Sequence, residues 1–168
     1  MMRTALLDTG PLVAVLDRRD QDHPWAVEQL AQLRRPLWTC EAVLTEAFHL
    51  LRYLPSAQVA ILEMLAEDVL TVPFRLGEQP REILALVRRY ANVPMSLADA
   101  CLVRMSETVG DSVVVTLDSH FHIYRRHGRQ NSLQMQRLSA SIATRGRSRN
   151  VSGPTGSWGS RERLKTQT

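Results

Sequence analysis

The amino-acid sequence predicts an α/β fold of three layers, helices on both faces of a central, mostly parallel sheet of four or five strands. Three observations carry this prediction. Short apolar runs alternate with helical patterns over the first 138 residues. The helical stretches open on proline or a capping residue, and two of them close on glycine, at Gly110 and Gly128. The run Val113 to Leu117 (VVVTL) is apolar at nearly every position, as a strand covered on both faces must be.

Taken in order, Arg3 to Leu7 (RTALL) is a strand, followed by helical segments at Pro11 to Asp17 and Pro24 to Arg34, each starting on a proline at the first helical position. Leu37 to Thr39 is a short strand. Glu41 to Tyr53 carries the stripe Val43, Ala47, Leu50 and Leu54, and Pro55 redirects it into a second helix, Ser56 to Glu67. Val69 to Phe74 is a strand whose Pro73 marks an edge or an end. Gly77 to Tyr90 is helical; Ser96 caps a helix reaching about Thr108; Ser119 to His127 forms a last helix before Gly128. Leu133 to Leu138 alternates weakly and supplies a terminal strand. Trp25 and Trp38 interrupt apolar patterns and are expected in the core.

Composition narrows the function classes. With 168 residues, 44% of them apolar, the chain holds one ordinary core and a small appendage. No apolar run reaches the roughly 18 residues of a membrane span, so a soluble, cytoplasmic protein is expected. Cys40 and Cys101 form no CxxC motif and read as buried thiols. The net charge of +4 is uneven: residues 139–168 hold six basic groups and one acid, which leaves −1 for residues 1–138. That divides the chain into a domain at 1–138 and a disordered Arg/Ser/Gly-rich tail at 139–168.

The chemistry is carried by acids. Asp8 follows the first strand and Asp118 follows VVVTL, so neighbouring strands would aim both carboxylates into one crevice at the carboxyl edge of the sheet. Each also has a plain role as a helix cap. Glu46 sits at the margin of an apolar helical stripe, a costly place for a carboxylate unless it meets a base or a cation. Asp99 lies in SLADACLV, where Ser96 and Asp99 have capping-box spacing. Four carboxylates in apolar surroundings repel one another and suit a hard divalent cation, Mg²⁺ or Mn²⁺, with phosphodiester hydrolysis as the natural reaction.

Four segments, LLDTGPLVAVLD (Leu6 to Asp17), VLTEAFHLL (Val43 to Leu51), SLADACLV (Ser96 to Val103) and VVTLDSHF (Val114 to Phe121), together resemble the PIN-domain ribonucleases, most closely the VapC-type toxins of type II toxin-antitoxin systems. The resemblance covers residues 1 to about 138 and implies a PIN-like fold and cleavage of single-stranded or looped RNA with Mg²⁺ or Mn²⁺. It assigns the acidic quartet to Asp8, Glu46, Asp99 and Asp118, with Thr9 and Thr116 in support. The three aspartates would hold one ion, and Glu46 would complete a second site or position the attacking water. A small antitoxin protein and a homodimer are the implied partners. Candidates for holding RNA are Arg18 and Arg19 after the first helical segment and Arg125, Arg126 and Arg129 around the last.

Other readings stay open at this stage: an RNA-processing nuclease without an antitoxin, a PIN-like binding module without turnover, and, from the triplet Asp8-Thr9-Gly10, a dimeric aspartic protease. The protease is disfavoured by the dominance of helical periodicity. The histidines show no paired ligand spacing and read as surface or packing residues.

Overall fold

The computed structural model describes residues 3–124 and the strand Met135–Gln136. Five parallel strands, β1 (Thr4–Leu7), β2 (Leu37–Trp38), β3 (Leu70–Thr71), β4 (Ser112–Val115) and β5 (Met135–Gln136), form one sheet in the order β3-β2-β1-β4-β5. The helices are α1 (Thr9–Leu16), α2 (His23–Gln32), α3 (Glu41–Leu50), α4 (Pro55–Ala66), α5 (Pro80–Arg89) and α6 (Leu97–Thr108). The chain steps outward from β1 through β2 to β3 and then crosses back to β4. With right-handed crossovers, that reversal sends α1 to α4 over one face and α5 and α6 over the other, which makes the three layers.

β1 and β4 form the longest ladder, pairing Thr4 with Ser112 through Leu7 with Val115. Leu6, Leu7, Val114 and Val115 are buried, as are Leu12, Leu51, Ile61, Leu70 and Leu102 from the helices and β3. Burial on both faces explains the unbroken apolar runs. The reversal of strand order falls between β1 and β4, so the ligand crevice of such a sheet lies beyond their carboxyl ends.

Several elements differ from the sequence reading, each for a local reason. The first helix begins at Thr9 rather than Pro11, because the Asp8 side chain accepts from the Thr9 N–H and caps it. β3 is confined to Leu70–Thr71, short of Pro73, which cannot donate to a ladder. The segment from Gly77 splits into a 3-10 turn, Leu76–Glu78, and α5, since Gln79 precedes Pro80 and is held out of helical geometry. After Asp118 the described residues form a 3-10 turn, Ser119–His122, where the sequence reading begins a helix; Arg125 to His127 lie outside the described residues. Trp25 and Trp38 are half-buried instead of enclosed in the core. The expected tail at 139–168 lies outside the described residues. Among the described residues, no helix is long and apolar enough to cross a membrane.

Candidate active site

Asp8 is the first residue after β1, and its N–H still donates to Val115 O (3.1 Å), so the ladder fixes its backbone. Thr39, fully buried at the end of β2, donates its hydroxyl to Leu7 O (2.9 Å) and braces the same strand end from the other side. Gly10 lies in the first turn of α1, where an added Cβ would come within 3.3 Å of Leu117 Cβ. The missing side chain therefore lets α1 approach the loop after β4, closing the crevice between Asp8 and Asp118.

Asp8 is 6% exposed. It accepts from the Thr9 N–H (2.7 Å) through Oδ1 and from the Thr116 hydroxyl (2.6 Å) through Oδ2. Burial outweighs these bonds and, with the negative charges of Asp99 and Glu46 nearby, pushes its pKa up to about 6. Thr116, fully buried, works twice: its oxygen also accepts from the Asp118 N–H (2.9 Å). One hydroxyl thus ties the acids of β1 and β4 together. Thr9 makes the next link, donating its hydroxyl to Glu46 Oε2 (3.0 Å) across 37 residues of sequence.

Asp99 occupies the third helical position of α6, where the capping box forms in full: Ser96 Oγ accepts from the Asp99 N–H (3.0 Å) and Asp99 Oδ2 accepts from the Ser96 N–H (2.9 Å). Capping does not exhaust it. Burial, with the negative charge of Asp118, raises its pKa. Asp118 accepts through Oδ1 from the His120 N–H and lies against His120 Nδ1, both at 2.8 Å.

The four acids are therefore linked pairwise at the carboxyl edge of the sheet, through Thr9, through Thr116 and by charge between Asp8 and Asp99, Asp8 and Glu46, and Asp99 and Asp118, but their environments differ from expectation. Glu46 is exposed, so no burial cost forces a partner upon it; its tie to the site is the Thr9 hydroxyl. Asp8 and Asp99 are the desolvated pair. Of the basic residues expected to hold RNA, Arg18 is exposed, and Arg19 donates from Nε to Asp17 (3.2 Å) and lies 5.0 Å over the Tyr53 ring. Arg125, Arg126 and Arg129 lie outside the described residues.

Two site residues escape sequence reasoning. Tyr124 is fully buried, packs edge to face on Tyr90 and Phe121, and shares its hydroxyl between Pro94 O and Asp99 Oδ2, each at 3.3 Å. No periodicity marks it. His120 is the other; its place two residues after Asp118 is the available signal. Beneath the site, the first turns of α3 and α6 meet where the buried thiols of Cys40 and Cys101 hydrogen-bond each other; the pairing raises the pKa of Cys101 and lowers that of Cys40.

The donor set is all carboxylate, the chemistry of a hard divalent cation. Among the described residues, one oxygen each of Glu46, Asp99 and Asp118 accepts no hydrogen bond and is available as a ligand. No three Asp, Glu, His or Cys side chains of the described residues stand close enough to share an ion as they are turned here, each acid facing its local donor. The residues fit such a cation in kind, and binding would offset the burial of charge and the repulsion that raise Asp8 and Asp99.

Comparison with known proteins agrees with the fold. The PIN domain family model matches residues 5–126. Among solved structures, the chain is similar to the Mycobacterium tuberculosis toxin VapC20, described as a sarcin-ricin loop cleaving toxin. The TM-score is 0.63 at 21% identity, over 69% of this chain and 91% of that one. No curated protein sequence matches.

Proposed function

The chain belongs to the PIN domain family, and from that premise we propose that it is a metal-dependent endoribonuclease, the toxin of a toxin-antitoxin pair. What supports the reading is the buried Asp8, raised to about 6 and linked to Glu46 through Thr9 and to the Asp118 backbone through Thr116, with Asp99 within reach of its charge. Such an electrostatic load is out of place in a passive scaffold and suited to a divalent cation.

Asp8, Asp99 and Asp118 would hold Mg²⁺ or Mn²⁺, with Glu46 completing a second site or orienting water. When bound, the ion activates water and stabilises the charge that develops on a phosphate during in-line displacement. The chain's own residues prepare that step. Thr116 holds the Asp8 and Asp118 segments in register, Thr9 turns Glu46 inward, and Tyr124 with Ser96 orients Asp99. The substrate is single-stranded or looped RNA, a reading supported by the family and by the likeness to a toxin described as sarcin-ricin loop cleaving. A small antitoxin, a homodimer and a cytoplasmic setting belong to the same proposal.

The test is cleavage of end-labelled single-stranded and hairpin RNAs by the full chain in Mg²⁺ or Mn²⁺. Cutting that disappears with EDTA and with Asp8→Asn is expected; an Asp8→Asn protein that cuts as fast as the parent refutes the mechanism. Growth arrest on induced expression, relieved by a co-expressed small partner, separates a toxin from an RNA-processing nuclease.

A further inference from the structure

At the end of the sheet away from the acidic crevice, the amino ends of β1 and β2 frame a cleft of about 250 Å³ lined by Arg3, Thr4, Arg34, Arg35, Pro36 and Trp38. Three guanidinium groups in one cleft are a marked concentration, since residues 1–138 carry a balance of only −1. Arg3 is paired with Asp111 at 3.3 Å, and Arg34 and Arg35 are exposed to solvent. The half-buried Trp38 adds an aromatic ring to the wall. The volume falls below the roughly 300 Å³ at which clefts begin to enclose drug-sized ligands, so the occupant is small or only partly enclosed.

Guanidinium forks match phosphate oxygens in pairs, and an indole offers a stacking surface that tolerates any base. We propose that this cleft binds a phosphorylated nucleoside, its phosphate held by Arg3, Arg34 and Arg35 and its base set against Trp38. The same chemistry is presented by a free mononucleotide and by one nucleotide of an RNA strand. The assignment stands apart from the acidic crevice and does not require that crevice to be catalytic.

The experiment titrates the full chain, in EDTA at low salt, with 5′-AMP, adenosine, inorganic phosphate and a hexa-adenylate RNA, reading binding by calorimetry and tryptophan fluorescence. AMP or the hexamer is expected to bind, adenosine at least about tenfold more weakly, and affinity should fall as salt rises. The double substitution Arg34→Ala with Arg35→Ala, at exposed positions with folding checked by circular dichroism, should weaken binding about tenfold or more. Trp38→Phe should reduce AMP binding while leaving inorganic phosphate unchanged. Binding of AMP identifies a free nucleotide as sufficient; binding of the hexamer alone identifies the strand as the source, and either supports the site. The proposal is overturned if no probe binds, if the double variant binds as the parent does, or if a polyglutamate peptide displaces the nucleotide at equal concentration, since charge alone would then explain the affinity. Loss of RNA cleavage with nucleotide binding retained would count against the nuclease reading only.

Discussion

Replacing Asp8 by asparagine should make the protein more stable while abolishing its activity. An Asp whose pKa is raised from 3.8 to about 6 binds its proton more tightly in the fold than in the unfolded chain. Below about pH 4 both states hold the proton and nothing is lost. As pH climbs from about 4 through about 6, the unfolded chain ionises while the folded carboxyl keeps its proton, and stability falls by about 3 kcal/mol at about 1.4 kcal/mol per pKa unit. The asparagine side chain would keep the acceptor for the Thr9 N–H but lose the charge, and it would offer an amide to Thr116 in place of an acceptor, a loss of about 1 kcal/mol. The net expectation is about 2 kcal/mol of stabilisation at neutral pH, or about 6 °C in melting temperature for a domain of this size. Thermal and urea unfolding of both proteins in EDTA between about pH 4 and 8 measures it, and the gap should close toward pH 4. Saturating Mg²⁺ should then raise the wild type by about 2–3 kcal/mol at a hundredfold excess over Kd and leave the variant where it was. A variant less stable than wild type at neutral pH, or a gap independent of pH, would refute the claim that burial of Asp8 charges the site.

Thr116→Val removes one donor and one acceptor from a buried hydroxyl, so a loss of about 3 kcal/mol in urea unfolding is expected. The Asp8 pKa should rise further in an NMR titration, because this hydrogen bond is the strongest effect holding it down, and Thr116→Ser should restore most of both. Tyr124→Phe keeps the edge-to-face packing on Tyr90 and Phe121 and removes the bonds to Pro94 and Asp99, at about 1 kcal/mol. Its second readout is a higher Asp99 pKa. Away from the site, Tyr53 donates its hydroxyl to Asp17 Oδ2 (2.6 Å) and holds that carboxyl down to about 2. Asp17 therefore contributes stability that is present above its unfolded pKa of 3.8 and lost as pH falls toward 2. Tyr53→Phe should move the acid-unfolding midpoint upward; an unchanged midpoint would dismiss the role.

The parts of the molecule that can be read from sequence are those whose cause is local. β1 and β4 announce themselves because strands covered on both faces must be apolar throughout, and Asp8 and Ser96 because helix starts need acceptors. Where the apolar pattern suggests a longer element, a nearby backbone constraint cuts it short: Pro73 ends β3, Pro80 interrupts the segment before α5, and the side chain of Asp118, accepting from His120 N–H, closes a 3-10 turn. Cause at a distance is not legible. The Cys40 and Cys101 thiols are 61 positions apart and meet only because α3 and α6 both begin over the carboxyl edge of the sheet.

The same distinction separates the right choice of acids from the reason for choosing them. Sequence reasoning singles out Glu46 for the cost of burying it, yet it is exposed and joins the site through Thr9. The cost falls on Asp8 and Asp99, each of which also has a capping role. Capping and ligation are compatible because both require an oxygen at the carboxyl edge of a parallel sheet, near a helix start whose dipole favours negative charge. What separates a cap from a ligand is desolvation in the company of like charge. That property belongs to the assembled crevice: it arises when strand order sets β4 beside β1 and Gly10 lets α1 close against Leu117.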